Sequence, residues 1–150
     1  MKDTDKTVAG LLAGILFVMT TSPVQADETP RLALRMKHDL QAHVVKDGMR
    51  LGQGTLVSHE AHAGFRLWSE VQTSSFLTGH YVLSGKQDGE HKLRIRLVPR
   101  DLIAEGNPAS SEMVLNTRDD RVTFDILADG EQQVEADRYR LDISGTVLLP

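Results

Sequence analysis

Cysteine is absent from the 150-residue chain. That absence excludes disulfide stapling, thiol catalysis, Cys-ligated zinc and attachment through a lipidated cysteine, so stability must come from burial or from a partner. Basic residues are outnumbered, with 17 Lys and Arg against 21 Asp and Glu and a formal charge of −4. The balance favours solubility and leaves no basis for a nucleic-acid partner or a polybasic membrane contact. Helical periodicity is nearly missing, as are repeats and low-complexity tracts. Neither a G-x-S-x-G elbow nor an HExxH pattern occurs, so the sequence contains no signature of an enzyme and requires no cofactor.

An apolar run long enough to cross a bilayer is lacking too. Val8 to Met19 is an unbroken stretch of apolar and small residues, but about 12 residues at 1.5 Å each span too little of a ~30 Å hydrocarbon layer. The run is followed by Thr20-Thr21-Ser22-Pro23 and then Val24-Gln25-Ala26, small residues spaced as at a signal-peptidase site. Residues 1–26 therefore read as a signal peptide and 27–150 as one exported domain. Without the leader the domain holds 15 Lys and Arg against 19 Asp and Glu, so the formal charge stays at −4.

What is present after Ala26 is period-two alternation, the mark of half-buried strands. Leu32, Leu34 and Met36 alternate with polar or small neighbours, and Leu40 to Val45 follows before the turn Lys46-Asp47-Gly48. Further strands are predicted at Gln53 to Ser58, Phe65 to Trp68, His80 to Leu83, His91 to Val98 and Arg121 to Leu127. Asp101 to Asp120 reads as a long loop with a short strand near Met113-Val114-Leu115. The last segment, Arg138 to Leu149, puts Tyr139, Leu141, Ile143, Gly145, Val147 and Leu149 on one side. Six or seven short strands without a helical interval predict an all-β, immunoglobulin-like sandwich. Tyr139, two positions before the inward Leu141, fits the tyrosine corner near the start of strand F.

If Arg138 to Leu149 is strand F, the chain ends where strand G belongs. A sandwich lacking G exposes an apolar groove between its first and last strands together with unpaired N–H and C=O groups. A strand donated by another chain seals such an edge, and burying four or five aliphatic side chains contributes on the order of 10 kcal/mol before entropy costs. The predicted acceptor groove is lined by Leu32, Leu34, Met36, Leu141, Ile143, Val147 and Leu149. Ahead of its first strand the domain offers only Asp27-Glu28-Thr29-Pro30, too short to act as a donor. A subunit that accepts without donating ends a polymer at its distal tip.

Three blocks carry a family resemblance: Gly54 to Trp68, which reads G-T-L-V-S-H-E-A-H-A-G-F-R-L-W; Asp88 to Arg96; and Phe124 to Gly130 with Tyr139-Arg140 after it. Together they resemble the AfaD/DraD invasin subunits of enterobacterial chaperone–usher adhesins, and within that group the tip subunits of Saf-type atypical fimbriae. The resemblance implies a periplasmic pilus chaperone, an outer-membrane usher, capping by the N-terminal donor strand of the major pilin, and a host-cell receptor contacted in adhesion or entry. It also implies a departure, because the relatives have cysteines at the positions of Ser58 and near Val147, and this chain has neither.

Four side chains are candidates for receptor contact. Lys92, Arg94 and Arg96 form a basic row on one strand face, which is either a receptor patch or a solvated outer face. Trp68, the one tryptophan, is out of phase with Phe65 and Leu67, so it lies on the outer surface, is covered by a loop, or marks a bulge. His59-Glu60-Ala61-His62 has the residue types of a zinc site but not the spacing, and its expected role is to fix a turn through hydrogen bonds to the backbone. The sequence therefore predicts no metal. The competing class is a self-complete periplasmic β-sandwich that binds or inhibits a partner.

Overall fold

In the computed structural model, residues 15–22, 30–37, 43–69, 73–74, 79–105 and 112–150 are described, and none of them is helical. Thirteen strand segments follow the alternation: β1 Ile15–Ser22, β2 Arg31–Met36, β3 Val44–Val45, β4 Arg50–Val57, β5 Gly64–Trp68, β6 Thr73–Ser74, β7 His80–Ser84, β8 Lys92–Pro99, β9 Ala104–Glu105, β10 Met113–Asn116, β11 Arg121–Ala128, β12 Gln132–Gln133 and β13 Asp137–Leu148. One sheet runs β2-β4-β11-β8-β7-β6 and the other β1-β13-β5-β10-β9, with β12 and β3 forming a small ribbon. Taking β2, β4, β5, β8, β11 and β13 as A to F, the sheets are A-B-E-D and F-C, which is the immunoglobulin-like arrangement.

The inward phase of each strand supplies the core. Leu93, Ile95 and Leu97 of β8 and Val122, Phe124 and Ile126 of β11 are buried, facing Phe65 and Leu67 of β5 and Tyr139, Leu141 and Ile143 of β13. Antiparallel neighbours keep these sets in register, with Phe124 opposite Gly54 and Ile126 opposite Leu97; the β11–β4 register shifts between Ile126 and Leu127. The turn Lys46-Asp47-Gly48 forms as the sequence predicts. Gly48 has φ +82°, a conformation that an L side chain rarely adopts, and Asp47 Oδ1 accepts from the Gly130 N–H at 2.8 Å across the neighbouring turn.

The short strand expected within the long loop is present as β10, paired with β5. Of Leu40 to Val45, the structure describes the end, where Val44–Val45 pairs with β12; residues 38–42 lie outside the described residues. The larger difference is β1. The sequence assigns residues 15–22 to a leader, yet here they lie parallel to β13 in the position of strand G.

Candidate functional site

The margin of β13 is where the sequence places the acceptor groove. Its C-terminal half, Ser144 to Leu148, pairs antiparallel with β5, while Asp137 to Ser144 pairs along the opposite margin with β1. Tyr139, Leu141 and Ile143 are fully buried on the inward face and Val147 is 9% exposed. Across the sandwich β2 forms the other lip, with Met36 buried and Leu32 and Leu34 half-buried against the core. Leu149, placed in the groove by the alternation, is 66% exposed. The strand ends at Leu148, so the inward phase does not extend that far.

At the start of β13 the corner is locked twice. The Tyr139 hydroxyl donates to the Glu135 carbonyl at 2.6 Å, the tyrosine-corner bond, and burial pushes this phenol up to about 12, so it remains a donor. Two residues earlier Asp137 has a fully covered side chain. Burial alone would raise its carboxyl, but the Gln87 N–H at 2.9 Å, His91 Nδ1 at 2.9 Å, the Arg138 N–H at 2.6 Å and the Asp88 N–H at 3.1 Å together hold it at about 2. Sequence reading missed this residue. The available signal is its phase, because Asp137 stands on the inward side two positions before Tyr139, where an acid needs several donors.

Gln132 was missed as well. Its buried amide accepts from the Arg94 N–H and donates to the Arg94 carbonyl, both at 2.9 Å, so it continues the ladder beside β8 as a backbone would.

The basic row is split by its contacts. Lys92 and Arg94 are exposed, Lys92 Nζ donating to Ser84 Oγ and Arg94 Nε to the Asp129 carbonyl. Arg96 Nη1 instead reaches Asp47 Oδ1 at 2.8 Å, the Ala128 carbonyl at 3.0 Å and Asp129 Oδ1 at 3.3 Å, which ties β8 to two turns. The bond from Arg96 holds the Asp47 carboxyl below its usual range. Arg96→Ser is expected to lower the stability of the full chain by about 1 kcal/mol, whereas Lys92→Ser changes it by less than about 0.5 kcal/mol in urea titrations.

Trp68 shares its phase with Arg66 on the outer side of β5, half-buried and opposite Ser144, without a shift in the pairing of β5. The bulge alternative is thus set aside for this residue. His59 and His62 do not converge on a common point. His59 Nδ1 lies 3.0 Å from Asp120 Oδ2, while buried His62 has Nδ1 at 2.7 Å from the Glu60 carbonyl and Nε2 at 2.9 Å from the Asp119 carbonyl. Carbonyls only accept, so the ring braces two connections, the role expected of it, and packs on Phe65 with centroids 4.7 Å apart. Glu60 takes part through its backbone, its N–H donating to the buried Ser58 hydroxyl at 3.3 Å.

This geometry has known counterparts. The crystal structure of the Salmonella SafD adhesin superposes with a TM-score of 0.73 at 33% identity, covering 82% of this chain and 90% of that one. The minor tip subunit HdaB of the Escherichia coli Hda pilus gives a TM-score of 0.71 at 25% identity over 81% of this chain and 84% of its own. Protein AfaD of Escherichia coli is 27% identical over 106 residues, 71% of each chain. The model of the Enterobacteria AfaD invasin protein family matches residues 41–145, a span running from the ribbon strand β3 through the tyrosine corner and nearly to the end of β13. On that match and the likeness to the SafD adhesin, the chain belongs to the AfaD invasin family.

Proposed function

We propose that this chain is the distal tip subunit of a chaperone–usher surface fimbria, accepting a donor strand from the adjacent pilin and contributing to host-cell adhesion or invasion. The observation that carries this reading is the margin of β13 from Asp137 to Ser144, whose described pairing partner on that side is residues 15–22, a segment that reads as a leader. With residues 1–26 gone, Leu141 and Ile143 border a groove with a bare ladder edge, a condition that calls for a strand in trans. SafD is an adhesin and HdaB a minor tip subunit, and both descriptions fit a subunit that ends a fibre.

In this reading a periplasmic chaperone holds the groove first, the outer-membrane usher secretes the complex, and the N-terminal strand of the major pilin replaces the chaperone at the cell surface. Leu32, Leu34, Met36, Leu141, Ile143 and Val147 are the acceptor residues. Receptor contact falls to Trp68, Lys92 and Arg94, since Arg96 is engaged within the fold.

Expressing residues 27–150 alone and with the major pilin's donor segment fused at the C-terminus tests the proposal. The fused form is expected to be monomeric and more stable by roughly 5–10 kcal/mol, and the unfused form to aggregate. A soluble, cooperatively folding monomer of residues 27–150, unchanged by the fusion, would instead establish the self-complete binding protein.

A further inference from the structure

Charge is sorted by face in this chain of net charge −4. On the outer face of the A-B-E-D sheet the outward positions hold Arg31 and Arg35 on β2, Arg50 on β4 and Arg121 on β11, and β8 continues the row with Lys92, Arg94 and Arg96. Asp125 is the one acid among the outward positions of these four strands, and it is already engaged, with Arg100 Nη2 at 2.7 Å and Arg50 Nη1 at 3.7 Å. Arg31, Arg35, Lys37 and Arg121 are exposed and form no ion pair among the described residues. Their placement is set by the ladder. Arg31 and Arg121 both stand opposite Val57 from its two sides, about 10 Å apart across two strand spacings, and Arg35 lies four residues along β2, about 13 Å from Arg31. Half-buried Thr55, Thr123 and Gln53 lie between these cations. Arg35, Lys37 and Arg50 also line, with Gln53, Met36 and Gly52, a cavity of about 250 Å³ whose wall contains three cations and no acid.

We propose that this face binds a linear sulfated polysaccharide, with Arg31, Arg35 and Arg121 contacting separate sulfate groups along the chain and the cavity beside Arg35 receiving one of them. The proposal rests on the adhesion reading above and deepens it by naming the chemistry of the surface that is contacted. A guanidinium fork matches the oxygens of a sulfate group in two parallel hydrogen bonds, and a field of one sign raises the local concentration of a polyanion. A single small anion cannot span cations about 13 Å apart, whereas a chain with repeated sulfates can. The hydroxyls and the amide between the cations suit sugar hydroxyls, which need both donors and acceptors. A lipid surface would instead call for an apolar rim, and Val98, at 37% exposure, is the one exposed large apolar residue among the outward positions of this face.

The test takes the protein as an exporting bacterium releases it from the full chain, together with whatever caps its groove, and measures binding to immobilised heparin, to the same polymer with its sulfates removed, and to phosphatidylglycerol vesicles. Wild type is expected to prefer heparin to the desulfated chain by at least about tenfold at about 0.15 M salt, and this comparison needs no variant. Replacing Arg35 and Arg121 together by Ser should weaken heparin binding at least about tenfold and lower the slope of log affinity against log salt by about two, one for each lost contact. Replacing Lys86 and Arg138, exposed cations outside this face, removes the same charge and should change affinity by no more than about twofold. Arg35→Lys with Arg121→Lys should keep the salt slope and lose less affinity than the Ser pair. Thermal midpoints within about 2 °C of wild type verify that the variants are folded. Absence of heparin binding, equal affinity for the desulfated polymer, or equal losses in the two charge-removing pairs overturns the proposal, and tighter binding to the vesicles overturns it in favour of an anionic lipid surface. Stabilisation by a fused donor segment is read at β13, so it would stand even if heparin did not bind, and the two readings fail separately.

Discussion

Phe124→Ala is expected to destabilise the full chain by about 3–5 kcal/mol, the range for deleting a fully buried aromatic ring. The ring fills more than a core position. Phe124 lies directly opposite Gly54 in the β11–β4 ladder, and a Cβ added at Gly54 would overlap the ring, with Phe124 Cε2 only 2.6 Å away. Gly54 is thus a glycine because the phenyl group lies flat on its backbone. Gly54→Ala alone is expected to cost about 1–3 kcal/mol through overpacking. Combining the two gives the informative result: with the ring gone the new methyl enters the vacated space, so the double variant should cost at least about 1 kcal/mol less than the sum. Urea titrations of the wild-type chain, both single variants and the double variant measure this coupling. Strictly additive costs would show that the ring and Gly54 do not compete for the same volume.

That contact shows where sequence reading reaches its limit. Alternation made β8 and β11 legible, because Leu93-Ile95-Leu97 and Val122-Phe124-Ile126 each keep one phase throughout. The start of β4 was harder to see. Its first residues, Arg50-Leu51-Gly52, carry no strand signal of their own, since Gly52 interrupts the apolar phase and is explained by the Arg35 carbonyl and Met36 of β2 passing close to it. Tyr139 was legible because its position relative to Leu141 is local. The partners of Arg96 were not, since Asp47 and Asp129 lie 49 and 33 residues away and are brought together only by the sheet. For residues 15–22 composition cannot decide between a leader and a strand, because an unbroken apolar run meets the requirements of both. The alternation of β2 and of β13 was legible strand by strand, while the polar lock at the start of β13 depends on residues from the β7–β8 turn.

Removing that lock is expected to have an effect of comparable size. Asp137→Asn should lower the stability of the full chain at pH 7 by roughly 2–4 kcal/mol, because the carboxylate accepts from three backbone N–H groups and faces His91, and an amide nitrogen would confront donors with a donor. The acid dependence follows from the same contacts. The folded carboxyl is held at about 2, below its ordinary value of 3.8, so its ionised form favours the folded state at every pH above about 4. That contribution, on the order of 2 kcal/mol, fades as the pH falls from about 4 toward 2 and the proton binds. Unfolding titrations at pH 7 and pH 2.5 should therefore show the wild-type chain converging on the Asp137→Asn variant in acid. Asp88→Asn, whose side chain is 53% exposed, serves as the control and is expected to retain most of the wild-type pH dependence. A gap between wild type and Asp137→Asn that is as wide at pH 2.5 as at pH 7 would mean that shape, and not the buried negative charge, is what Asp137 contributes at the corner that opens β13.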